Sequence, residues 1–129
     1  MDAVERIDHL VLNVTDVETS ARWYERVLGM RPEVVDGRMV LWFGDHKLHV
    51  RPLTESQDEW FTAEHPVAGS DDLCFSTAST IEVIVQHLDS LGVTIEEGPI
   101  LRAGARGEMT SVYMRDPDGS LIEISTYSA

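Results

Sequence analysis

The chain of 129 residues repeats itself once, and this repeat limits its possible folds more than any other feature. Leu28-Gly29-Met30 returns as Leu91-Gly92-Val93, an offset of 92 − 29 = 63 residues. In both places the tripeptide follows an amphipathic helical segment and precedes a β-prone segment. An internal repeat at this spacing predicts two copies of one supersecondary unit.

Each copy contains a strand, a helix and three further strands, which predicts an α+β fold of two tandem βαβββ modules. We expect a single domain over residues 1–129. Within it, module one covers residues 4–52, a polar linker with at most one helical turn covers 53–70, and module two covers 71–127.

Turn and cap signals place the individual elements. Thr15 with Glu18, and Ser79 with Glu82, have capping-box spacing at the two predicted helix starts. Besides the two opening strands, at 7–13 and 72–77, the pattern predicts strands at residues 30–35, 39–43, 47–51, 93–97, 109–114 and 121–126. Gly98-Pro99 is predicted to break the chain after the strand at 93–97, and residues 102–108 to form a Gly-rich loop.

Composition excludes several classes of partner. The chain has 23 acidic and 10 basic residues, a formal net charge of −13. Such a surface repels nucleic acid and anionic membranes and suits a cationic ligand. The single cysteine, Cys74, fits a reducing compartment, and its apolar neighbours predict a buried packing role rather than a nucleophile. We therefore expect a cytoplasmic protein without a membrane segment or signal peptide.

Four polar side chains interrupt the apolar alternation of predicted strands. His9 points away from the face that carries Leu10 and Leu12. The 63-residue offset pairs His9 with Asp72, and the last strand of each module adds His49 and Glu123. Two imidazoles and two carboxylates form a donor set for a divalent metal such as Zn, Ni, Co, Mn or Fe(II). The alternative is a hydrogen-bonded histidine and charges that face solvent.

Aromatic and basic residues on the same strands predict a substrate pocket. Tyr113 falls on the cavity side of its strand, where its phenol could donate to a substrate oxygen or act as an acid. Trp42 could line the pocket, and Arg51 could hold an anionic substrate. In the linker, Trp60 and Phe61 could close over a site, meet a second subunit or pack locally.

With these residues in place, the sequence resembles the vicinal oxygen chelate superfamily, which includes glyoxalase I, fosfomycin resistance proteins, extradiol dioxygenases and bleomycin resistance proteins. The matching segments are Ile7 to Leu12, Trp23 to Met30, and Tyr113 to Ile124. The resemblance implies a curved mixed sheet around a metal-binding cavity, a homodimer, and a metal that binds two adjacent oxygens of a small molecule. It is strongest toward glyoxalase-like proteins, some of them known as virulence proteins.

Carried over by position, His9 and Glu123 match ligands of the family. His49 stands where glyoxalase I usually has a glutamate, and Asp72 stands where a histidine is usual. Tyr113, ten residues before Glu123, resembles the tyrosine of the dioxygenases.

These matches imply three candidate functions. The first is a metal-dependent lyase or isomerase of the glyoxalase type, in which Glu123 or Asp72 moves a proton and Tyr113 assists. The second is an Fe(II) extradiol-type dioxygenase. The third is a metal-free protein that binds a drug or another small molecule.

Overall fold

The structure, a computed structural model, describes residues 1–128 and divides between residues 68 and 69 into two compact units. The first unit contains β1 (His9–Val14), α1 (Val17–Leu28), β2 (Arg31–Val35), β3 (Arg38–Phe43) and β4 (His46–Pro52). The second contains β5 (Asp72–Ser76), α2 (Ile81–Ser90), β6 (Glu97–Gly104), β7 (Gly107–Arg115) and β8 (Leu121–Thr126). Each unit has the predicted βαβββ order, which confirms the α+β fold class.

Unit one is a four-stranded mixed sheet in the order β1-β4-β3-β2. β1 pairs with β4 in parallel, and the remaining pairs are antiparallel. α1 contacts β2, β3 and β4. The core of the unit consists of buried apolar side chains, among them Leu12, Val14, Tyr24, Val27, Leu41, Leu48 and Val50. Because β1 alternates, this core face leaves His9, Val11 and Asn13 on the opposite face of the sheet.

Unit two has the equivalent order β5-β8-β7-β6, with β5 and β8 parallel. Its helix α2 contacts β7 and β8 over buried apolar side chains, including Ile84, Leu88, Val112, Met114 and Ile122. The strand register of the two units also matches. His49 lies opposite Val11, and Glu123 lies opposite Cys74, which is Val11 displaced by 74 − 11 = 63 residues. His49 and Glu123 therefore occupy equivalent positions.

Both helices start one residue later than the capping-box spacing predicts. Asp16 is the N-cap of α1, and its carboxylate accepts from the Thr19 backbone N–H at 3.0 Å. Thr80 is the N-cap of α2, and its hydroxyl accepts from the Val83 N–H at 3.4 Å. In each case two neighbouring residues are suitable N-caps, and the second one has the extended backbone that the N-cap position needs.

The predictions for residues 93–108 are wrong. No strand covers 93–95, and β6 instead begins at Glu97, continues through Gly98-Pro99 and pairs with β7 as far as Gly104 opposite Gly107. Proline is tolerated there because β6 is the edge strand of its sheet, where a missing N–H breaks no second ladder. A register shift between Glu97 and Ile100 accommodates the two residues.

The predicted linker contains no helix in the described part of the chain, 53–70. One α-turn closes where the Trp60 N–H donates to the Ser56 carbonyl at 2.9 Å. None of the helices within residues 1–128 is long and apolar enough to cross a membrane.

Candidate functional site

Unit one presents two imidazoles on the sheet face away from its core. The rings of His9 on β1 and His49 on β4 lie 5.2 Å apart at an interplanar angle of 64°. The Asp8 carboxylate is 2.8 Å from His9 Nδ1 and is stabilised by that hydrogen bond, which lowers the pKa of Asp8. A carboxylate that accepts from Nδ1 leaves Nε2 as the electron-pair donor, which is the usual arrangement around metal-binding histidines.

His49 lies in a less solvated environment that keeps its imidazole neutral. Burial lowers the pKa of His49 most, and the charges of Lys47, His9 and Arg38 lower it further. The buried ring of Trp60 meets His49 edge-on, with centroids 6.1 Å apart. A neutral imidazole can donate its electron pair to a metal at neutral pH. Trp60 thus packs against His49, whereas Phe61 is exposed.

Arg51 shares this face but is sealed inside unit one. It is only 1% exposed, and its guanidinium donates to the Asn13 side-chain oxygen at 2.8 Å and to the carbonyls of Glu55 at 2.5 Å and Trp60 at 3.2 Å. This differs from the expected substrate contact, because the donors are occupied by the chain itself. Arg51 instead ties the segment after β4 to the sheet and holds Trp60 beside His49.

Trp42 lies on the same face of β3 and is half-buried. Its ring is flanked by two cations, with Lys47 Nζ at 5.5 Å and the Arg31 guanidinium at 5.9 Å from the ring centroid. Its indole Nε1 is buried and has no hydrogen-bond partner within the described residues. That Trp42 lines a substrate pocket stays a prediction, and its half-buried position on this face is compatible with it.

Unit two presents carboxylates on the equivalent face. Glu123 is buried, and the Ser125 hydroxyl donates to its Oε2 at 3.2 Å. Asp72 begins β5 and is exposed. Since the Ser125 hydrogen is used on Glu123, the Ser125 oxygen must accept from Ser111, 2.7 Å away, and from the Cys74 thiol, 3.1 Å away. A directed row of hydroxyls therefore fixes the position of the Glu123 carboxylate.

The prediction of a buried Cys74 is wrong. Cys74 is exposed because it alternates with Leu73 and Phe75 and so shares a face with Asp72 and Glu123. Partial desolvation of the thiol raises the pKa of Cys74, the Ser125 hydrogen bond opposes that effect, and the nearby charges of Glu123 and Asp72 add to it. The thiol is therefore protonated at neutral pH, consistent with its donor role toward Ser125.

Tyr113 lies opposite Glu123 on β7, as Val40 lies opposite His49 in unit one. Arg102 Nε donates to the phenol oxygen at 3.0 Å. An arginine cannot accept, so the phenol hydrogen is not used by Arg102 and can point toward Glu123, its partner in the strand register. Desolvation raises the pKa of Tyr113, the Arg102 bond opposes that effect, and Glu123 adds to it.

Each unit therefore brings together two of the four predicted ligands. His9 and His49 share a face of unit one with Trp42, and Asp72 and Glu123 share a face of unit two with Tyr113. Among residues 1–128, no three His, Cys, Asp or Glu side chains are grouped so as to hold a metal ion. Four further residues near these faces were not predicted from the sequence, although Lys47 has the same strand parity as His49: Asp8, Arg38, Lys47 and Arg102.

The sequence and the fold match one large family. The sequence profile of the Glyoxalase/Bleomycin resistance protein/Dioxygenase superfamily matches residues 6–124. The chain belongs to this superfamily, which confirms the resemblance drawn from the sequence.

Three relatives show how the chain is placed within it. It is 45% identical over 126 residues to virulence protein STM3117 of Salmonella typhimurium, covering 96% of this chain and 85% of that protein. It is 37% identical to the glyoxalase domain-containing protein RDO1 of Mycosarcoma maydis, covering 97% and 70%. The structure of the Vibrio cholerae integron cassette protein VCH_CASS1 superposes with a TM-score of 0.94 at 43% identity, covering 99% of both chains.

More distant structures share the fold alone. The lactoylglutathione lyase of Agrobacterium tumefaciens is 20% identical, with a TM-score of 0.74 over 97% of this chain and 96% of that one. The antibiotic-binding protein TnmS3 of Streptomyces sp. CB03234 is 18% identical, with a TM-score of 0.75 over 99% and 100%. Both a lyase and a binding protein thus use this architecture.

Proposed function

We propose that the chain is a metal-dependent, glyoxalase-like lyase or isomerase that acts on a small oxygenated substrate. The observation that supports it most is the imidazole pair, in which Asp8 orients His9 and the surroundings of His49 keep it neutral. The position equivalent to His49 in unit two carries Glu123, a buried carboxylate held by a hydroxyl.

The donor types of the four predicted ligands suit a divalent metal, although no three of them are grouped within residues 1–128. His9, His49, Asp72 and Glu123 would supply two nitrogen and two oxygen donors, which suits Zn, Ni, Co, Mn or Fe(II). When bound, such an ion supplies Lewis acidity toward two adjacent oxygens of a substrate. The second-layer groups of this kind of site are also present, since Asp8 supports His9 and Ser125 supports Glu123.

The remaining roles belong to groups near the carboxylates. Asp72 is exposed and makes no side-chain hydrogen bond or ion pair within residues 1–128, so it is the carboxylate with freedom to move a proton, with Glu123 as the alternative. The Tyr113 phenol stays protonated at neutral pH and can donate to a substrate oxygen. Arg102 holds that phenol by donating to its oxygen.

We further propose that the protein acts as a cytoplasmic homodimer. Size-exclusion chromatography with light scattering tests the dimer, and a mass near 14.4 kDa per particle, the mass of one chain, would refute it.

Metal stoichiometry tests the proposed function directly. The purified protein is loaded separately with Zn, Ni, Co, Mn and Fe(II), dialysed and measured by elemental analysis. We expect about one ion per chain in the parent protein. His9→Ala and His49→Ala should lose most of the bound metal, and Asp8→Asn should retain less metal than the parent. The control is His65→Ala, because His65 is an exposed linker histidine. Equal metal content in His9→Ala and His65→Ala would contradict the proposal.

Turnover separates the candidate activities. The favoured activity predicts conversion of methylglyoxal–thiol adducts with Ni or Zn. The dioxygenase alternative, which the position of Tyr113 opposite Glu123 favours, predicts oxygen uptake with catechols under Fe(II). A protein that binds no metal and keeps its ligands in His9→Ala would instead support the metal-free binding function.

A further inference from the structure

The sheet face of unit one carries a concentration of positive charge that the composition conceals. Although the chain has a net charge of −13, this face carries Arg31, Arg38 and Lys47 beside its two histidines. The carboxylate of the same face, Glu33, is engaged with Arg31 at 3.1 Å. A cationic face on an acidic protein does not serve solubility, and its positive charge attracts anions.

Lys47 is the most informative of these cations because it is the only lysine in the sequence. The register places it opposite His9 on one side and Trp42 on the other. It is half-buried, its ammonium lies 5.5 Å from the centroid of the Trp42 ring, and within residues 1–128 it has no carboxylate at ion-pair distance. The nearby Asp8 carboxylate is already engaged with His9.

Arg38 adds charge on the other side of His49. Its guanidinium stacks 4.3 Å from the centroid of Trp60 and donates to the Glu59 carbonyl at 2.9 Å. Trp60 is itself held by Arg51, so Arg38 has a fixed support. Lys47 precedes His49 by two residues on β4, so that Lys47 and Arg38 border the imidazole pair from opposite ends.

We propose that Lys47, braced by Trp42, binds an oxyanion group of a small molecule that sits against His9 and His49, and that Arg38 strengthens the positive field. The ligand class is a small oxyanion, and carboxylate and phosphonate are the two forms that the test compares. This deepens the proposed function, because it assigns a charge to the substrate of the same site. It also reverses the expectation of a cationic ligand that net charge alone suggests.

The single lysine allows a direct test without metal. Reductive methylation with ¹³C-formaldehyde labels only the Lys47 amine and the chain amino terminus, keeps both charges, and gives separate NMR signals that Lys47→Arg assigns. The metal-free protein is titrated with glycolate, methylphosphonate and the neutral analogue glycolamide at constant ionic strength. We expect a saturable shift of the Lys47 signal with one or both anions, none with glycolamide, and an unmoved terminal signal.

Variants supply the matched comparison on unlabelled protein, with tryptophan fluorescence as the readout because Trp42 contacts Lys47. We expect Lys47→Gln to bind the anion at least about tenfold more weakly, and Lys47→Arg to stay close to the parent. Arg106→Gln makes the same charge change at an exposed position of unit two and should have no effect.

The outcomes separate this inference from the metal proposal. Anion binding that depends on Lys47 in a protein that takes up no metal would sustain the anion site and refute the metal function. Equal shifts of the Lys47 NMR signal with glycolate and glycolamide would overturn the anion site even if the metal binds. Equal losses of anion affinity in Lys47→Gln and Arg106→Gln would overturn it as well. A response to glycolate alone or methylphosphonate alone would assign the oxyanion as carboxylate or phosphonate.

Discussion

Replacement of Arg51 by methionine should destabilise unit one strongly, although no carboxylate of residues 1–128 forms an ion pair with Arg51. The substitution keeps the apolar stem and removes three short hydrogen bonds, to Asn13, Glu55 and Trp60. Each lost bond leaves an acceptor without its donor, at a cost of about 1–1.5 kcal/mol. The relief of a buried charge offsets part of the total, so we expect a loss of about 2–4 kcal/mol.

Urea unfolding followed by circular dichroism measures this loss, and thermal unfolding should show a fall in Tm of about 8–15 °C. Tryptophan emission should shift to the red as well, because Trp60 loses the anchor that buries it beside His49. The control is Arg26→Met, an exposed arginine near the end of α1, which should change stability by no more than about 0.5 kcal/mol. An Arg51→Met protein within about 1 kcal/mol of that control, with unshifted emission, would refute the structural role assigned to Arg51.

Three further perturbations follow from particular contacts. Gly69→Ala should lower the free energy of unfolding in urea by at least about 2 kcal/mol, because a Cβ at φ +81° would clash with the Asp118 carbonyl. Gly92→Ala, which has open space around its Cβ, should lower it by about 1 kcal/mol. Asp16→Ala should shorten α1 and lower the urea midpoint near neutral pH. The folded-state pKa of Asp16 is lowered, so this difference should be present above its unfolded pKa and vanish as pH falls through the folded value; a difference unchanged in acid would contradict the capping role. Iodoacetamide should alkylate Cys74 in the metal-free protein with a pH midpoint above that of free cysteine, and a midpoint at or below it would contradict the raised pKa.

The fold was predictable from the sequence because the repeat and the alternation report backbone geometry directly. The offset between Gly29 and Gly92 predicted two βαβββ units, and both sheets have the same strand order. The course of β6 was not predictable, since Pro99 is compatible with a strand only at a sheet edge, and the edge is known only from the strand order.

The candidate site was predictable in part for the same reason. Strand parity correctly placed His9 and His49 on one face. It could not distinguish Lys47 from Arg51, which have the same parity on β4, because the chain folds back after β4 and buries only Arg51. Cys74 was misjudged because its apolar neighbours were given more weight than its parity with Asp72.

The matched registers of the two units have a consequence for how such a protein can change. His49 and Glu123 occupy equivalent backbone positions, each opposite the third residue of the first strand of its unit. A substitution of His49 by a carboxylate, or of Glu123 by histidine, changes the type of donor atom without altering any strand pairing. Two halves that descend from one ancestral unit would at first have carried identical donors, and a mixed set arises only once they diverge. The metal preference of such a duplicated chain can therefore drift by single substitutions while its backbone stays the same.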